Sequence, residues 1–286
     1  MAHLRPRRAG GRWSWTALAA VAAVLAAGML YLAGPRVPVD TTVTFDAAQV
    51  GEDVDAYLAA GEAGARSLRP DAAKQIIWAD PGAPGRTPLA IVYVHGFSAS
   101  KGEIRPVPDD VATRLGANLY FTRLTGHGQD GAALAEANVA AWVNDYAEAL
   151  EIGRRLGDNL VIVATSTGAG LATWASTQPQ LFRDVAALVL VSPNYRVNQA
   201  GAWALTGPWG AQLAALGEER QFTPQNEAHG RLWTTRYPTR AVLPMAALTP
   251  LAREARVETI AIPALFIYSP NDRIIDARLT AEIAER

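Results

Sequence analysis

The sequence predicts an α/β fold, a mostly parallel sheet with helices on both faces, preceded by one apolar helix at the N-terminus. Three observations predict it. Short apolar runs alternate with helical patterns along the body of the chain. The later runs are nearly continuous in Val, Ile, Leu and Ala, as in strands buried on both faces. One stretch, 13–33, carries no charge at all. With 286 residues and 50% hydrophobic content, the chain can bury one sizeable core and still carry an appendage.

The apolar stretch reads WSWTALAAVAAVLAAGMLYLA. As a helix it spans about 30 Å, the thickness of a bilayer's hydrocarbon core. Trp13, Trp15 and Tyr31 sit at its ends, where amphipathic rings favour the headgroup level. Arg5, Arg7, Arg8 and Arg12 precede it and only Arg36 follows closely. The positive-inside bias then makes 1–12 a basic cytoplasmic tail, 13–33 a single-pass anchor, 34–45 an extended linker and 46–286 a domain outside the cytoplasm. Two alternatives share parts of this pattern. A cleaved signal peptide, giving a secreted protein, has the same basic start but usually a shorter apolar region. A buried core helix would carry a polar face.

Within the body, strands are expected at Gln75–Ala79, Leu89–Val94, Leu119–Arg123, Leu160–Ala164, Ala187–Val191 and Ala264–Tyr268. A helix is expected over Val139–Leu156, where Val139, Trp142, Val143, Tyr146, Leu150, Gly153 and Leu156 form one stripe. Asn138 would cap its start and Gly157 its end. Further helices are expected from Thr167 to about Thr177 and near Ala277–Glu285. Residues 194–258, rich in Trp and Pro, interrupt the alternation and are too long for a simple connection. They read as a helical cap over the C-terminal edge of the sheet, or as a surface excursion with no part in binding.

The formal net charge is -1 and the body after the basic tail is mildly acidic, so there is no electrostatic case for nucleic acid. There are no cysteines, which excludes disulfides, thiolate chemistry and Cys-ligated metals.

Three segments carry chemistry. In LVIVATSTGAG (160–170) a buried strand runs into Ser166 and then into small residues that open a helix. That is the setting of a nucleophile elbow, with Ala164 and Gly168 as the small neighbours a sharp turn needs. The motif is A-T-S-T-G where the elbow usually has Gly first, and the plainer reading of Ser166 is a helix N-cap. In IVYVHGF (91–97) a strand ends in His95-Gly96, a loop whose backbone can serve an oxyanion. By position the donors are the N–H groups of Phe97 and Thr167. His95 itself reads as a loop histidine that holds backbone in place. In FIYSPNDRIID (266–276), Asp272 lies beyond a buried strand, where an acid could orient a histidine. Asp276 reads as an N-cap. His127, in TGHG (125–128), lines or supports the site; a role as base is the lesser alternative. Trp142 and Asp145 read as helix packing and as a surface or loop-bonding carboxylate.

On VHGF (94–97), RLTGHG (123–128), Trp142-x-x-Asp145, TSTG (165–168), SPN (192–194) and SPNDRIID (269–276), the chain from about 75 to 286 resembles the α/β-hydrolase superfamily. Within it, the chain is similar to the monoacylglycerol lipase/serine aminopeptidase-like branch. The resemblance implies hydrolysis of an ester or amide without metal or organic cofactor. It also implies a small-molecule acyl ester as substrate, taken by a lid of helices, with Ser166 as nucleophile and Asp272 as acid.

A triad also needs a histidine after the acid, and none follows Asp272; the chain holds only His3, His95, His127 and His229. Three expectations remain open. The last strand, the catalytic histidine and a final helix are absent from a truncated chain, which would be a poor catalyst with an exposed sheet edge. A cap or loop histidine substitutes. Or the protein is a non-catalytic, membrane-tethered binding protein on the same fold.

Overall fold

The computed structural model describes residues 14–286; the basic tail, His3 and Trp13 lie outside them. Eight strands form: β1 (Gln75–Ile77), β2 (Thr87–Val94), β3 (Asn118–Phe121), β4 (Gly157–Thr165), β5 (Val185–Val191), β6 (Glu219–Gln221), β7 (Arg236–Pro238) and β8 (Ala264–Ile267). Helices α1 (Trp15–Leu32), α2 (Val54–Ala63), α3 (Val107–Leu115), α4 (Gly131–Leu134), α5 (Val139–Leu156) and α6 (Thr167–Ala175) occupy the first part of the chain. They are followed by α7 (Pro179–Phe182), α8 (Trp203–Thr206), α9 (Gly210–Leu216), α10 (Glu227–Leu232), α11 (Leu243–Arg253) and α12 (Ala277–Ala284).

The main sheet has the order β1-β3-β2-β4-β5-β8. Only β1 runs antiparallel to its neighbour; the other pairs are parallel. All six expected strands form, shifted by a few residues at their ends. The sheet is sandwiched between two apolar clusters. The larger joins Val92, Val94, Leu160 and Ile162 to Trp142, Val143, Tyr146 and Leu150 of α5 and to Leu171 of α6. The smaller joins Ile91, Tyr93, Leu119 and Phe121 to Ala112 of α3. Alternate residues of β2 thus serve opposite faces, which is why the strand reads as one apolar run.

Helix α5 spans the expected residues, and the Asn138 side chain accepts from Ala141 N–H at its start. Gly157 does not end it as a left-handed cap. It has φ −153° and is already the first residue of β4. A Cβ there would meet Ala90 of β2 at 2.6–2.7 Å, so the glycine admits a close strand pairing instead.

Helix α1 is long and apolar enough to cross a membrane, and none of its residues is buried. A soluble core helix is therefore not what this segment forms. The linker is extended but not free. Thr44 and Phe45 N–H both donate to Asn144 Oδ1 on α5 at 2.7 Å, and Val43 and Phe45 pack on the main core.

The expected helical cap also contains a small sheet. Residues 194–258 hold α8, α9 and α10, but also the antiparallel pair β6–β7. Helix α11 belongs to the body, since Ala247 and Leu248 join the main core. Short pieces separated by Gly and Pro leave no long amphipathic period to read. The cap reaches back to α1 as well: Trp209 N–H donates to Pro35 O at 2.8 Å and its indole N–H to Leu30 O at 3.3 Å.

Candidate active site

Strand β4 ends at Thr165 and α6 begins at Thr167, so the whole turn falls on Ser166. Its φ and ψ are 50° and −112°, a region that costs a non-glycine residue about 1–3 kcal/mol. Neighbours hold it there. Ser166 N–H donates to Val191 O on β5 at 2.9 Å, and Ser166 O accepts from Gly170 and Asn194 N–H, both at 3.0 Å. The side chain makes no capping bond, so Ser166 is not a plain N-cap. Gly168 is required by contact: a Cβ there would lie 2.5 Å from the carbonyl oxygens of both Val94 and His95.

The β2 end faces this turn. A Cβ on Gly96 would lie 3.1 Å from Ser166 Cβ. His95 is fully buried. Its Nε2 accepts from Leu124 N–H at 3.1 Å, which leaves the proton on Nδ1 to donate to Gly96 O at 2.8 Å. Burial lowers its pKa to about 4, so the ring is neutral and fixed in one tautomer. Gly96 O also accepts from Ala99 N–H at 3.3 Å. The carbonyl of the Gly96–Phe97 peptide is thus gripped from two sides. Among the described residues neither Phe97 N–H nor Thr167 N–H has an acceptor.

A second layer supports that loop. Trp142 indole N–H donates to Thr125 O at 3.0 Å, and Asp145 accepts from Thr125 N–H at 2.5 Å and its hydroxyl at 3.1 Å. Asp145 is therefore an enclosed loop-bonding carboxylate and not a surface one; burial raises its pKa to about 6. His127 is enclosed by His95, Phe97 and Trp142, with ring centroids 4.7, 5.8 and 5.5 Å away. Its Nδ1 lies 3.3 Å from Thr125 O, and its buried Nε2 has no partner among the described residues. Burial holds it well below the usual histidine range.

The acid end is separate. Asp272 follows β8, and its Oδ1 accepts from Ile274 and Ile275 N–H at 2.7 and 3.0 Å. No hydrogen bond joins it to a histidine or to Ser166 among the described residues. Asp276 caps α12, accepting from Arg278 and Leu279 N–H, and pairs with Arg196 at 3.2 Å. His229 sits in the cap, accepting from Gln225 N–H at 3.2 Å and packed on Trp233. The structure therefore gathers Ser166, His95, Gly96, Phe97, Thr167 and His127, and among the described residues no hydrogen bond ties Asp272 to them.

The cap is tied to the same loop. Thr234 N–H donates to Ser98 O at 2.7 Å, Ser100 hydroxyl to Leu232 O at 2.8 Å, and Tyr237 packs edge-on against Phe97 at 5.4 Å. A cavity of about 670 Å³ opens between the cap and α11, lined by Leu205, Val242 and Met245 and by Arg196, Arg220 and Arg253. Neither Ser166 nor Asp272 lines it, so this space is beside the nucleophile's turn and does not contain it. No cluster of three or more His, Asp or Glu suited to a metal occurs among the described residues.

One residue of this site is not legible in the sequence. Glu103, in the loop after β2, accepts from Gly96 N–H at 2.8 Å and from Tyr93 hydroxyl at 2.9 Å. Between Lys101 and Arg105, a glutamate reads as an ordinary loop charge; only the fold brings it back to Gly96.

Residues 91–286 match the sequence profile described as the Alpha/beta hydrolase family. A thermostable monoacylglycerol lipase of Bacillus sp. (strain H-257) is 22% identical over 188 residues, 66% of this chain and 72% of that protein. A solved structure from work on LipS and LipT, two metagenome-derived lipolytic enzymes, superposes with a TM-score of 0.61 at 22% identity, covering 75% of this chain and 84% of that one. A soluble variant of monoglyceride lipase from Saccharomyces cerevisiae gives 0.56 at 12% identity, covering 74% and 78%.

Proposed function

The chain belongs to the α/β-hydrolase family, and on that premise we propose that it is a membrane-anchored serine hydrolase that cleaves lipophilic carboxylic esters. The observation that carries the reading is Ser166 itself: a serine in a strained conformation, its hydroxyl unused by the fold, beside two N–H groups without acceptors. In the proposed reaction Ser166 Oγ attacks the ester carbonyl and loses its proton to a base. The carbonyl oxygen takes the negative charge and is held by Phe97 and Thr167 N–H. Collapse of that intermediate expels the alcohol, which takes a proton, and leaves an acyl-serine that water hydrolyses. Oxyanion donors of this kind supply several kcal/mol of transition-state stabilisation. Asp272 is the proposed acid, orienting a histidine in the order Ser, acid, His. No histidine follows Asp272 in these 286 residues, so the base is the one member of the mechanism without a residue number.

Anchoring by α1 is supported by its length, its apolar and unburied surface, and the arginines before it. The lipophilic acyl substrate is supported by that anchoring, by Leu205, Val242 and Met245 in the lining of the cap cavity, and by the monoacylglycerol lipase among the relatives. The test is labelling by a fluorophosphonate probe of the protein expressed from its full reading frame, with intact folding checked by circular dichroism. Labelling of the wild type, abolished in Ser166→Ala, is expected. A folded protein that never labels overturns the hydrolase, and labelling that persists in Ser166→Ala overturns the nucleophile. The second reading, a tethered binding protein, is favoured by one observation: no histidine hydrogen-bonds Ser166 among the described residues.

A further inference from the structure

We propose that Glu103 is a positioning residue of the acyl-transfer site and that the site works faster when its carboxyl is neutral. The inference rests on the serine hydrolase reading above and deepens it.

The geometry is as follows. Glu103 Oε2 takes two hydrogen bonds, from Gly96 N–H at 2.8 Å and from Tyr93 hydroxyl at 2.9 Å. Tyr93 hydroxyl is also 3.0 Å from Thr165 Oγ1, one residue before the nucleophile. The other oxygen, Oε1, faces the turn. A Cβ built on Gly96 would lie 2.7 Å from Oε1 and 3.1 Å from Ser166 Cβ. Glu103 Oε1 and Ser166 Cβ therefore lie no more than about 6 Å apart, a distance at which a charge shielded from solvent is felt strongly.

Two consequences follow. First, Glu103 fixes the backbone that presents the oxyanion donor. It holds Gly96 N–H, while His95 Nδ1–H and Ala99 N–H hold Gly96 O. Both polar groups of Gly96 are thereby committed, and the next N–H, that of Phe97, has its direction set. Second, the charge of Glu103 matters to the reaction. An ionised carboxylate beside the turn opposes the negative charge that develops when Ser166 attacks, whereas a neutral carboxyl keeps the same hydrogen bonds without that repulsion.

The surroundings favour the neutral form. Glu103 has no ion-pair partner among the described residues. From β2 it meets Tyr93 and, at the loop's start, His95, which is neutral. Through Tyr93 hydroxyl it is linked to Thr165 of β4, and Ser166 lies near it across Gly96; neither carries charge at neutral pH. On its own segment Arg105 pairs with Asp109 and stacks over Phe121, and Lys101 lines a groove with Asp71. Enclosure raises the Glu103 carboxyl to about 7. The sign is then fixed: the neutral, working form is lost as pH rises through about 7. The same titration affects stability. A carboxyl raised in the folded state binds its proton more tightly there than when unfolded, so its contribution is full below the ordinary glutamate range and is lost as pH rises through about 7.

The experiment compares the protein expressed from its full reading frame with its Glu103→Gln and Glu103→Ala variants, following fluorophosphonate labelling rate and Tm from pH 5 to pH 9. Glu103→Gln keeps an acceptor for Gly96 N–H but cannot ionise. The expected result is a ratio of its labelling rate to that of the wild type that rises about tenfold from pH 6 to pH 9, with the wild-type Tm falling relative to Glu103→Gln over pH 5 to 7. Glu103→Ala should label about tenfold more slowly than Glu103→Gln at every pH, because Gly96 N–H loses its acceptor. A Glu103→Gln ratio that does not change with pH, or a Glu103→Ala protein that labels like the wild type at pH 6, overturns the proposal and leaves the hydrolase reading standing. A folded wild type that does not label overturns both. If Glu103→Ala fails to fold, the isosteric Glu103→Gln profile decides alone.

Discussion

The strand end that carries Ser166 and the one that carries Asp272 lie two places apart in a single sheet and are held in different ways. Strand β4 sits between β2 and β5, and the backbone of Ser166 is bonded to residues from β5, α6 and the loop after β5. Strand β8 pairs on one side only, with β5. Its Leu265 and Ile267 are 55% and 49% exposed, and the Asp272 carboxylate bonds only the turn that contains it. At the nucleophile, long-range contacts set the geometry. At the acid, local hydrogen bonds do. The lesson is that one end is over-determined, so a small change there propagates, and the other is locally sufficient, so a small change there stays local.

Three substitutions can break that contrast. Gly168→Ala should have the largest effect. Its Cβ would be driven into two carbonyl oxygens of β2 and the oxyanion loop, costing about 3 kcal/mol. Urea unfolding should show the loss and fluorophosphonate labelling should disappear; an alanine tolerated at full stability would mean that the turn has room to move. Asp145→Asn acts one layer out, on the Thr125 loop. Burial raises Asp145 above its unfolded value to about 6, so its stabilisation is full below the usual aspartate range and is lost as pH rises through about 6. The wild type should lose about 2 kcal/mol between pH 4 and pH 7 that the variant keeps. Parallel stability-against-pH curves for the two proteins would refute this. Asp272→Ala should matter least to the fold, about 1 kcal/mol for its two turn bonds. A cooperative loss of several kcal/mol would show that the acid end is as deeply coupled as the nucleophile.

What could be read from the sequence divides along similar lines. Helix α5 was legible because its stripe from Val139 to Leu156 repeats over five turns of one face. Strands β2, β4 and β5 were legible because burial on both faces leaves runs with almost no polar residue. Ser166 was legible because strand, serine and small residues are contiguous. The interactions that were not legible are the non-local polar ones. Asn144 captures the linker from about a hundred residues away, Asp145 closes on Thr125, and Glu103 folds back onto Gly96. Each is a polar side chain whose partner is chosen by the fold, and no periodicity marks it. The strands inside the cap were missed for another reason: elements of three to seven residues carry too few positions to show a period, and β6 and β7 pair across a stretch that itself holds α10.

The conformation of Ser166 has a consequence for how this chain could change over generations. The positive φ at 166 is a standing cost that only glycine would remove without distorting the turn. Replacement by glycine there is therefore downhill in stability, whereas keeping the serine is uphill. Most positions in a protein drift toward whatever the fold tolerates, and use restrains only the few where tolerance and need disagree. Position 166 has the makings of one of these, since its hydroxyl is carried at a cost to the fold.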